Sequence, residues 1–228
     1  MVVVAADAPA AAGRAVMVAG ATGLVGRAVV AALLADKRYH SIHTLGRRAA
    51  PSAHPRLTQH TVADLTRLPT LPAVDDVFIA LGTTIKIAGS QAAFRAVDHD
   101  AVLAIAHTAF QAGARRLAVV SSMGADPTSR VFYSRVKGET EAALQAIGYD
   151  TLVIARPSML AGDRVVLAQA PRLGEQVGLA MMGLIKPLIP GNYRAIQAAD
   201  VAQAMVKAIA AGKKGIQILL SGQMQPGA

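Results

Sequence analysis

The chain has 228 residues, of which 53% are hydrophobic, so its length and composition suit one large domain with a well-buried core. It contains no cysteine, which excludes disulfides, thiol nucleophiles, iron–sulfur clusters and cysteine-based zinc sites. The net charge of +9 comes from scattered Lys and Arg residues, and aromatic residues make up only 4% of the chain, so we expect no nucleic-acid partner. No apolar run approaches the roughly 20 residues of a membrane span, so we expect no membrane partner and a cytoplasmic location. The six histidines show no metal-ligand spacing, so no metal site is expected.

After a flexible lead-in at residues 1–13, short apolar segments alternate with helical patterns along the chain. The predicted strands cover residues 14–20, 41–45, 57–62, 74–81, 116–122, 151–156 and 215–220. The predicted helices cover residues 24–35, 91–111, 130–147 and 198–211. Strands that are apolar throughout are typical of a parallel sheet covered on both faces, and strand–helix alternation implies right-handed crossovers. We therefore predict an α/β fold in which residues 14–228 form one domain, a doubly wound parallel sheet with a small C-terminal substrate lobe around residues 159–192.

A glycine-spaced loop joins the first predicted strand to the first predicted helix. This glycine loop consists of Gly20, Ala21, Thr22, Gly23, Leu24, Val25 and Gly26. In such a loop one glycine permits the tight turn, another lets the backbone approach a pyrophosphate, and the last allows the helix to pack on the sheet. The helix N-terminus then offers free N–H groups to the phosphate. The strand before the loop and the helix after it favour a dinucleotide site of the Rossmann type over a purely structural turn.

The end of the second strand indicates which dinucleotide is bound. NAD-binding proteins usually carry an acidic residue about 20 residues after the glycine loop, where it holds the ribose 2′-hydroxyl. Here the arginine pair, Arg47 and Arg48, occupies that place, and no acidic residue lies nearby. Two guanidiniums suit the bidentate hydrogen bonds of a 2′-phosphate, so they favour NADP(H) over NAD(H). The alternative is an ordinary exposed basic turn.

Two further strand ends are candidates for contacts with the cofactor. Asp64 and Leu65 follow the third strand, where they would frame an adenine; equally, Asp64 would cap a helix. Leu81, Gly82 and Thr83 end the fourth strand, where small residues would let the backbone pass close to the cofactor ribose. The alternative for this second group is a simple glycine turn.

A tyrosine and a lysine share one face of a predicted helix. Tyr133 and Lys137 are one helical turn apart, and Ser121 and Ser122 end the strand just upstream. Such a group can form one site for a carbonyl or an alcohol. The phenol exchanges the proton, the ammonium stabilises the phenolate and can hold the nicotinamide ribose, and a serine hydroxyl positions the substrate oxygen. The same spacing is common on exposed amphipathic helices, so its weight comes from its place after the fifth strand.

These motifs, in this order, resemble the short-chain dehydrogenase/reductase superfamily. Residues 80–100, 119–126 and 133–141, followed by Arg156 and Pro157, resemble its atypical branch of Tat-interacting-protein-like, NAD(P)H-binding oxidoreductases. The resemblance extends over nearly the whole chain from Arg14.

The resemblance implies that NADPH is bound by the glycine loop and the arginine pair, with Ser121 and Lys137 also beside the cofactor. It implies a catalytic site of Ser122, Tyr133 and Lys137, in which Ser122 is preferred because the superfamily usually employs the second serine of such a pair. The superfamily's frequent catalytic asparagine has no counterpart here, since Asp98 or His99 lies near that place.

The leading functional prediction is therefore an NADPH-dependent oxidoreductase that reduces a small carbonyl substrate by hydride transfer, with Tyr133 as the proton donor. Two alternatives stay open: a non-catalytic NADP(H)-binding sensor, and an epimerase or dehydratase that retains NAD. Superfamily members often form dimers, so a homodimer is a further expectation.

Overall fold

The computed structural model describes residues 13–161 and 191–227, and its central layer is a parallel β-sheet. In chain order the strands are β1 (Arg14–Ala19), β2 (Tyr39–Gly46), β3 (Leu57–Thr61), β4 (Asp76–Ile79), β5 (Arg116–Val120), β6 (Thr151–Arg156), β7 (Leu160–Ala161), β8 (Ile196–Gln197) and β9 (Gly215–Leu220). Seven of them form the main sheet in the order β3-β2-β1-β4-β5-β6-β9, and every neighbouring pair is parallel. The order reverses beside β1, as in the predicted doubly wound sheet, which is confirmed.

Helices cover both faces of this sheet. They are α1 (Leu24–Ala35), α2 (Ile85–Ala88), α3 (Gln91–Arg95), a π-helical turn (Ala96–Asp100), α4 (Ala101–Gln111), α5 (Phe132–Gln145) and α6 (Ala198–Ala211). The apolar sides of α1 and α6 pack in one core, and those of α4 and α5 pack in a second core on the opposite face. The crossovers therefore place all the carboxyl ends of the strands at one edge.

The first strand shows why the apolar runs are continuous. Val16 and Val18 belong to the core beneath α1 and α6, whereas Met17 and Ala19 belong to the core beneath α4 and α5. All four residues are fully buried. Since successive side chains of a strand point to opposite faces, a sheet covered on both sides needs apolar residues at every position.

The region after β4 differs from the prediction of one continuous helix over residues 91–111. Thr84 caps the short α2, which was not predicted from the sequence, and Gly89 ends it in a left-handed conformation with φ of +85°. Ser90 then caps α3, and the π-helical turn separates α3 from α4. Most other predicted elements agree with the structure to within a few residues, although the short β7 and β8 were also not predicted.

Two predictions about organisation fall largely outside the described residues. The lead-in at residues 1–13 is described only at Gly13, and the lobe at residues 159–192 only at its two margins. One margin includes β7, which pairs with β8 in a small parallel sheet. The lead-in, the lobe and the single-domain assignment stay predictions. Within the described part of the chain, no helix is both long enough and apolar enough to cross a membrane.

Candidate functional site

A cavity of about 760 Å³ opens at the carboxyl edge of the sheet. It is lined by the glycine loop, the ends of β2, β4 and β5, and the start of α5, because parallel strands bring these segments to one edge. The predicted site residues in its lining are Gly20, Ala21, Thr22, Gly23, Leu24, Val25, Arg47, Arg48, Asp64, Leu65, Leu81, Gly82, Thr83, Ser121, Ser122, Tyr133 and Lys137. Gly26 is the predicted residue that does not line it.

The three glycines of the loop meet three different requirements. Gly20 has φ of +85°, and a Cβ atom there would lie 2.5 Å from the Ala80 carbonyl oxygen. A Cβ atom on Gly26 would lie 2.1 Å from the Gly20 carbonyl oxygen, so Gly26 allows α1 to pack against the loop. Gly23 has an ordinary φ and room for a Cβ atom, whose closest neighbour would be 3.5 Å away. Its missing side chain therefore leaves space on the cavity side.

The first turn of α1 is open to an anion. Gly23 is its N-cap residue and provides no side-chain cap, and no acidic residue lies in the first turn. The initial N–H groups of a helix have no partner within the helix, and the helix dipole adds positive charge there. In the described part of the chain this N-terminus faces the cavity, so it fits the pyrophosphate of a dinucleotide.

The arginine pair lies at the far margin of the cavity. Arg47 and Arg48 follow directly after β2 ends at Gly46, and both side chains are exposed. Neither guanidinium forms an ion pair with another residue of the described ranges, so both charges are available to a ligand. A 2′-phosphate is such a ligand, because a planar guanidinium binds a phosphate through paired hydrogen bonds.

The end of β3 contributes one polar and one apolar residue. Asp64 Oδ1 accepts hydrogen bonds from the backbone N–H of Thr66 (2.8 Å) and from its hydroxyl (2.7 Å). These hydrogen bonds lower the pKa of the Asp64 carboxyl. Asp64 thus stabilises a local turn rather than the start of a helix, and it still lines the cavity beside the buried Leu65. Contact of either residue with an adenine stays a prediction.

The two serines after β5 have different partners. Ser121 is buried, and its hydroxyl donates to Glu141 Oε1 at 2.5 Å. Glu141 also accepts from two nitrogens of Arg156, at 3.0 and 2.5 Å, and the contact raises the pKa of Arg156. Ser122 is half-buried, and among the described residues its hydroxyl donates only to the neighbouring Met123 carbonyl oxygen, at 2.9 Å. The Ser122 hydroxyl is therefore the one that can turn to a substrate.

Tyr133 and Lys137 lie on one side of the first turns of α5. The Tyr133 ring packs near Phe94 with a centroid separation of 5.5 Å, and its hydroxyl bonds to no residue of the described ranges. Lys137 is buried, and its Nζ lies 2.7 Å from Asp98 Oδ1. A Cβ atom on the next residue, Gly138, would lie 2.2 Å from the Pro127 backbone nitrogen. This close approach packs the loop after β5 against the helix that carries Tyr133 and Lys137.

Sequence reasoning placed Asp98 or His99 near the superfamily's catalytic asparagine but gave Asp98 no partner, and it missed Glu141. A signal for Asp98 was present, because it shares its helical face with Phe94, Ala101 and Val102, all of which are buried. A carboxylate on an apolar face indicates a buried partner. Glu141 follows Lys137 by one helical turn, so the same spacing rule places it on the inward side of α5. In the described ranges no cluster of three or more His, Asp or Glu residues is arranged to hold a metal ion.

Comparison with known proteins identifies the family. The family model described as NAD(P)H-binding matches residues 20–211. Protein FMP52, mitochondrial, of Coccidioides immitis is 32% identical over 215 residues, which span 88% of this chain and 87% of that protein. Protein HTATIP2 of Rattus norvegicus is 30% identical over 217 residues, which span 92% of this chain and 87% of that protein.

Solved structures share the fold at lower identity. MoeE5 in complex with UDP-glucose and NAD superposes with a TM-score of 0.67 at 17% identity, covering 90% of this chain and 74% of that one. A short chain dehydrogenase family protein from Francisella tularensis gives a TM-score of 0.67 at 15% identity, covering 93% of this chain and 99% of that one. At such identities the likeness shows the Rossmann-type fold and nothing finer.

The relatives correct one prediction, the cytoplasmic location, which is wrong by this comparison. The relatives from Emericella nidulans, Coccidioides immitis, Eremothecium gossypii and Aspergillus niger are all named as mitochondrial proteins. The prediction had relied on the lack of a long apolar run, and that observation does not indicate a compartment.

The family resemblance drawn from the sequence is confirmed. The family model covers most of the chain, and two relatives at 30% identity or more align with nearly its full length. The protein belongs to the NAD(P)H-binding, atypical branch of the short-chain dehydrogenase/reductase family, together with FMP52 and HTATIP2.

Proposed function

We propose that the protein is an NADPH-dependent reductase of a small carbonyl compound. The observation that carries the proposal is that one cavity is lined by the glycine loop, the arginine pair, Ser122, Tyr133 and Lys137. A phosphate-binding helix N-terminus, a 2′-phosphate clamp and a proton donor are therefore within reach of one bound dinucleotide. The homodimer expected from the superfamily is kept as a separate proposal.

The residues of the chain divide the binding of the cofactor among them. The glycine loop and the first turn of α1 hold the pyrophosphate, because the loop has no side chains to block it and the helix has free N–H groups. Arg47 and Arg48 hold the 2′-phosphate, and Leu81, Gly82 and Thr83 lie along the path towards the nicotinamide ribose. When bound, the dihydronicotinamide supplies the hydride with its electron pair.

The proton and the charge are handled by three side chains at the end of β5 and the start of α5. Tyr133 delivers its phenolic proton to the carbonyl oxygen as the carbonyl carbon is reduced, so the product is an alcohol. The nearby Lys137 ammonium stabilises the phenolate that remains. Ser122 exchanges its hydrogen bond with the Met123 carbonyl for one to the substrate oxygen, where negative charge develops.

A fluorescence titration with NADPH and with NADH is the first test. The chain has no Trp, so the emission of the reduced cofactor can be followed with little background. We expect NADPH to bind at least about tenfold more tightly than NADH, which corresponds to ~1.4 kcal/mol for the 2′-phosphate. Equal affinities would remove the NADP assignment, and no binding of either cofactor would overturn the proposal.

A screen of small aldehydes and ketones with NADPH is the second test. The Tyr133→Phe variant keeps the ring but lacks the proton donor, so we expect it to bind NADPH normally and to lose carbonyl reduction. If the wild-type protein binds NADPH and reduces none of these compounds, the sensor alternative gains support. If the purified protein retains NAD through chromatography, the epimerase or dehydratase alternative gains support.

A further inference from the structure

A buried ion pair between Lys137 and Asp98 lines the cavity, and Asp98 has no role in the chemistry proposed above. Lys137 Nζ lies 2.7 Å from Asp98 Oδ1, and the two side chains are 6% and 0% exposed. We propose that Asp98 is a positioning residue that fixes the Lys137 ammonium in the reductase site. The inference rests on the proposed function and adds a residue to it.

Asp98 is itself held in place from several sides. Its second carboxylate oxygen, Oδ2, accepts a hydrogen bond from the backbone N–H of Thr83 at 2.9 Å. Its backbone carbonyl oxygen accepts from the Thr140 hydroxyl at 3.1 Å. Thr83 lies in the segment that follows β4, and Thr140 lies on α5. Asp98 therefore connects the strand end that borders the proposed ribose site to the helix that carries Tyr133 and Lys137.

The π-helical turn places the Asp98 carboxylate in the wall of the cavity. The backbone N–H of Ala101 bonds to the carbonyl oxygen of Ala96, so the turn holds one residue more than an α-helical turn. The extra residue changes the direction in which the side chains of the turn point. Asp98 becomes buried in the cavity wall, while its neighbour Asp100 pairs with His99 and is half-exposed. Single π turns of this kind are frequent at functional sites.

The ion pair with Asp98 can position Lys137, because a buried lysine ammonium needs a partner that fixes its orientation. A lysine side chain has four flexible bonds and three N–H donors, so a buried ammonium can adopt several orientations unless a partner selects one. The contact with Oδ1 is an ion pair without well-directed hydrogen-bond geometry. It fixes the location of the ammonium and leaves N–H donors for a ribose hydroxyl. Other polar groups near this part of α5 have partners of their own. Arg95 and Arg135 pair with Glu139, Glu141 pairs with Arg156, and His99 Nδ1 lies 2.7 Å from Asp100 Oδ1.

The Asp98→Asn variant tests the inference, because asparagine keeps the size and the acceptor for Thr83 but removes the charge. We expect kcat for carbonyl reduction to fall at least about tenfold while KM for the carbonyl stays within about threefold. We also expect the Kd for NADPH, measured by fluorescence without any substrate, to rise by about threefold or more. The matched control is Asp100→Asn, which removes a carboxylate from the same π turn outside the cavity and should change neither value.

A double-mutant cycle with Lys137→Met separates positioning from a merely structural role. If Asp98 acts through Lys137, adding Asp98→Asn to Lys137→Met should lower kcat and NADPH affinity by less than about a further twofold. If Asp98→Asn lowered kcat and NADPH affinity equally in the wild-type and the Lys137→Met proteins, the inference would be overturned. Should Asp98→Asn alone not fold, the comparison of Lys137→Met with the double variant still decides, because a further loss of NADPH affinity of more than about twofold in the double variant would overturn the inference.

Measurements on the wild-type protein and on Asp98→Asn separate this inference from the proposed function. If the wild-type protein neither binds NADPH nor reduces a carbonyl, the proposed function fails and the role of Asp98 fails with it. If the wild-type protein does both and Asp98→Asn matches it in kcat and in NADPH affinity, only the positioning role is overturned.

Discussion

Ser121 Oγ donates to Glu141 Oε1 at 2.5 Å, a contact that the adjacent Ser122 does not share. Glu141 is held in turn by Arg156 at the end of β6, so Ser121 belongs to a buried network that joins β5, β6 and α5. Ser122 lies outside this network, and its one hydroxyl contact within residues 13–161 and 191–227 is with the Met123 carbonyl oxygen. Under the proposed function, this difference in partners favours Ser122 as the serine that contacts the substrate oxygen.

The first prediction concerns this division between the serines. Ser122→Ala should lower kcat for carbonyl reduction on the order of 100-fold with little change in NADPH affinity, because it removes one donor to the developing oxyanion. Ser121→Ala should instead lower the free energy of unfolding by about 1.5–3 kcal/mol, because Glu141 loses a charge-assisted hydrogen bond. Steady-state kinetics and thermal melts measure the two effects. Ser52→Ala, in the exposed segment between β2 and β3 and outside the cavity lining, is the control.

The opposite pattern would contradict the assignment. If Ser121→Ala lost kcat while its melting temperature stayed at the wild-type value, Ser121 would be the residue that contacts the substrate oxygen.

The second prediction concerns the arginine pair. The double variant Arg47→Ala/Arg48→Ala should weaken NADPH binding at least about tenfold and leave NADH binding nearly unchanged, because only NADPH carries the 2′-phosphate. Raising the salt concentration should weaken NADPH binding to the wild-type protein more than to the variant, since exposed charges are screened. Arg67→Ala removes an exposed cation outside the cavity lining and serves as the control. Equal losses for both cofactors would mean that the pair does not recognise the 2′-phosphate.

Much of the fold was predictable because its cause is local. The unbroken apolar run from Ala15 to Ala19 in β1 requires a sheet covered on both faces, and the glycine spacing between β1 and α1 requires a tight, unobstructed turn. The pairing of Tyr133 with Lys137 follows from helical spacing alone. The carboxyl edge of a parallel sheet then brings these segments together, so most of the cavity lining could be predicted as well.

What was missed depends on contacts between segments that are distant in sequence. Thr83, Asp98 and Lys137 come from three elements, and no local pattern reports that they meet. The π turn was missed because one extra residue in a helix barely changes its apolar periodicity. Asp64 was assigned equally to an adenine contact and to a helix cap, and only the described hydrogen bonds to Thr66 show that it closes a turn.

The third prediction separates two glycines of the same loop. Gly26→Ala should destabilise the protein by several kcal/mol, on the order of 2–4, because its Cβ atom would lie 2.1 Å from the Gly20 carbonyl oxygen and backbone must move. Gly23→Ala has room within the protein, so its melting temperature should stay close to wild type. That variant should nevertheless weaken NADPH binding, because the added methyl group occupies space against the pyrophosphate.

Thermal melts and cofactor titrations on the two variants decide this point. A Gly26→Ala protein as stable as the wild type would show that α1 can move away from the loop without lowering the free energy of unfolding. Unaltered NADPH affinity in Gly23→Ala would place the pyrophosphate elsewhere.

The last prediction concerns the stability of the protein at mildly acidic pH. His43 and His60 lie on neighbouring strands, with His43 Nδ1 3.0 Å from His60 Nε2. Burial, and then the nearby His60 and His40, lower the pKa of His43 below its ordinary value. The folded protein therefore binds fewer protons at His43 than the unfolded chain does, and stability must rise with pH in that window. The stabilising contribution is fully present above a pH of about 6.5 and is lost as the pH falls below it.

His43→Gln removes this titration while keeping a polar side chain of similar reach. The loss of melting temperature between pH 7 and pH 5.5 should therefore be smaller for the variant than for the wild-type protein, in buffers of equal ionic strength. His107→Gln, on the exposed side of α4, should reproduce the wild-type pH dependence. A His43→Gln protein with the full wild-type loss would mean that other groups cause the acid sensitivity. In that case the contact between His43 and His60 tolerates a proton without weakening the β2–β3 edge.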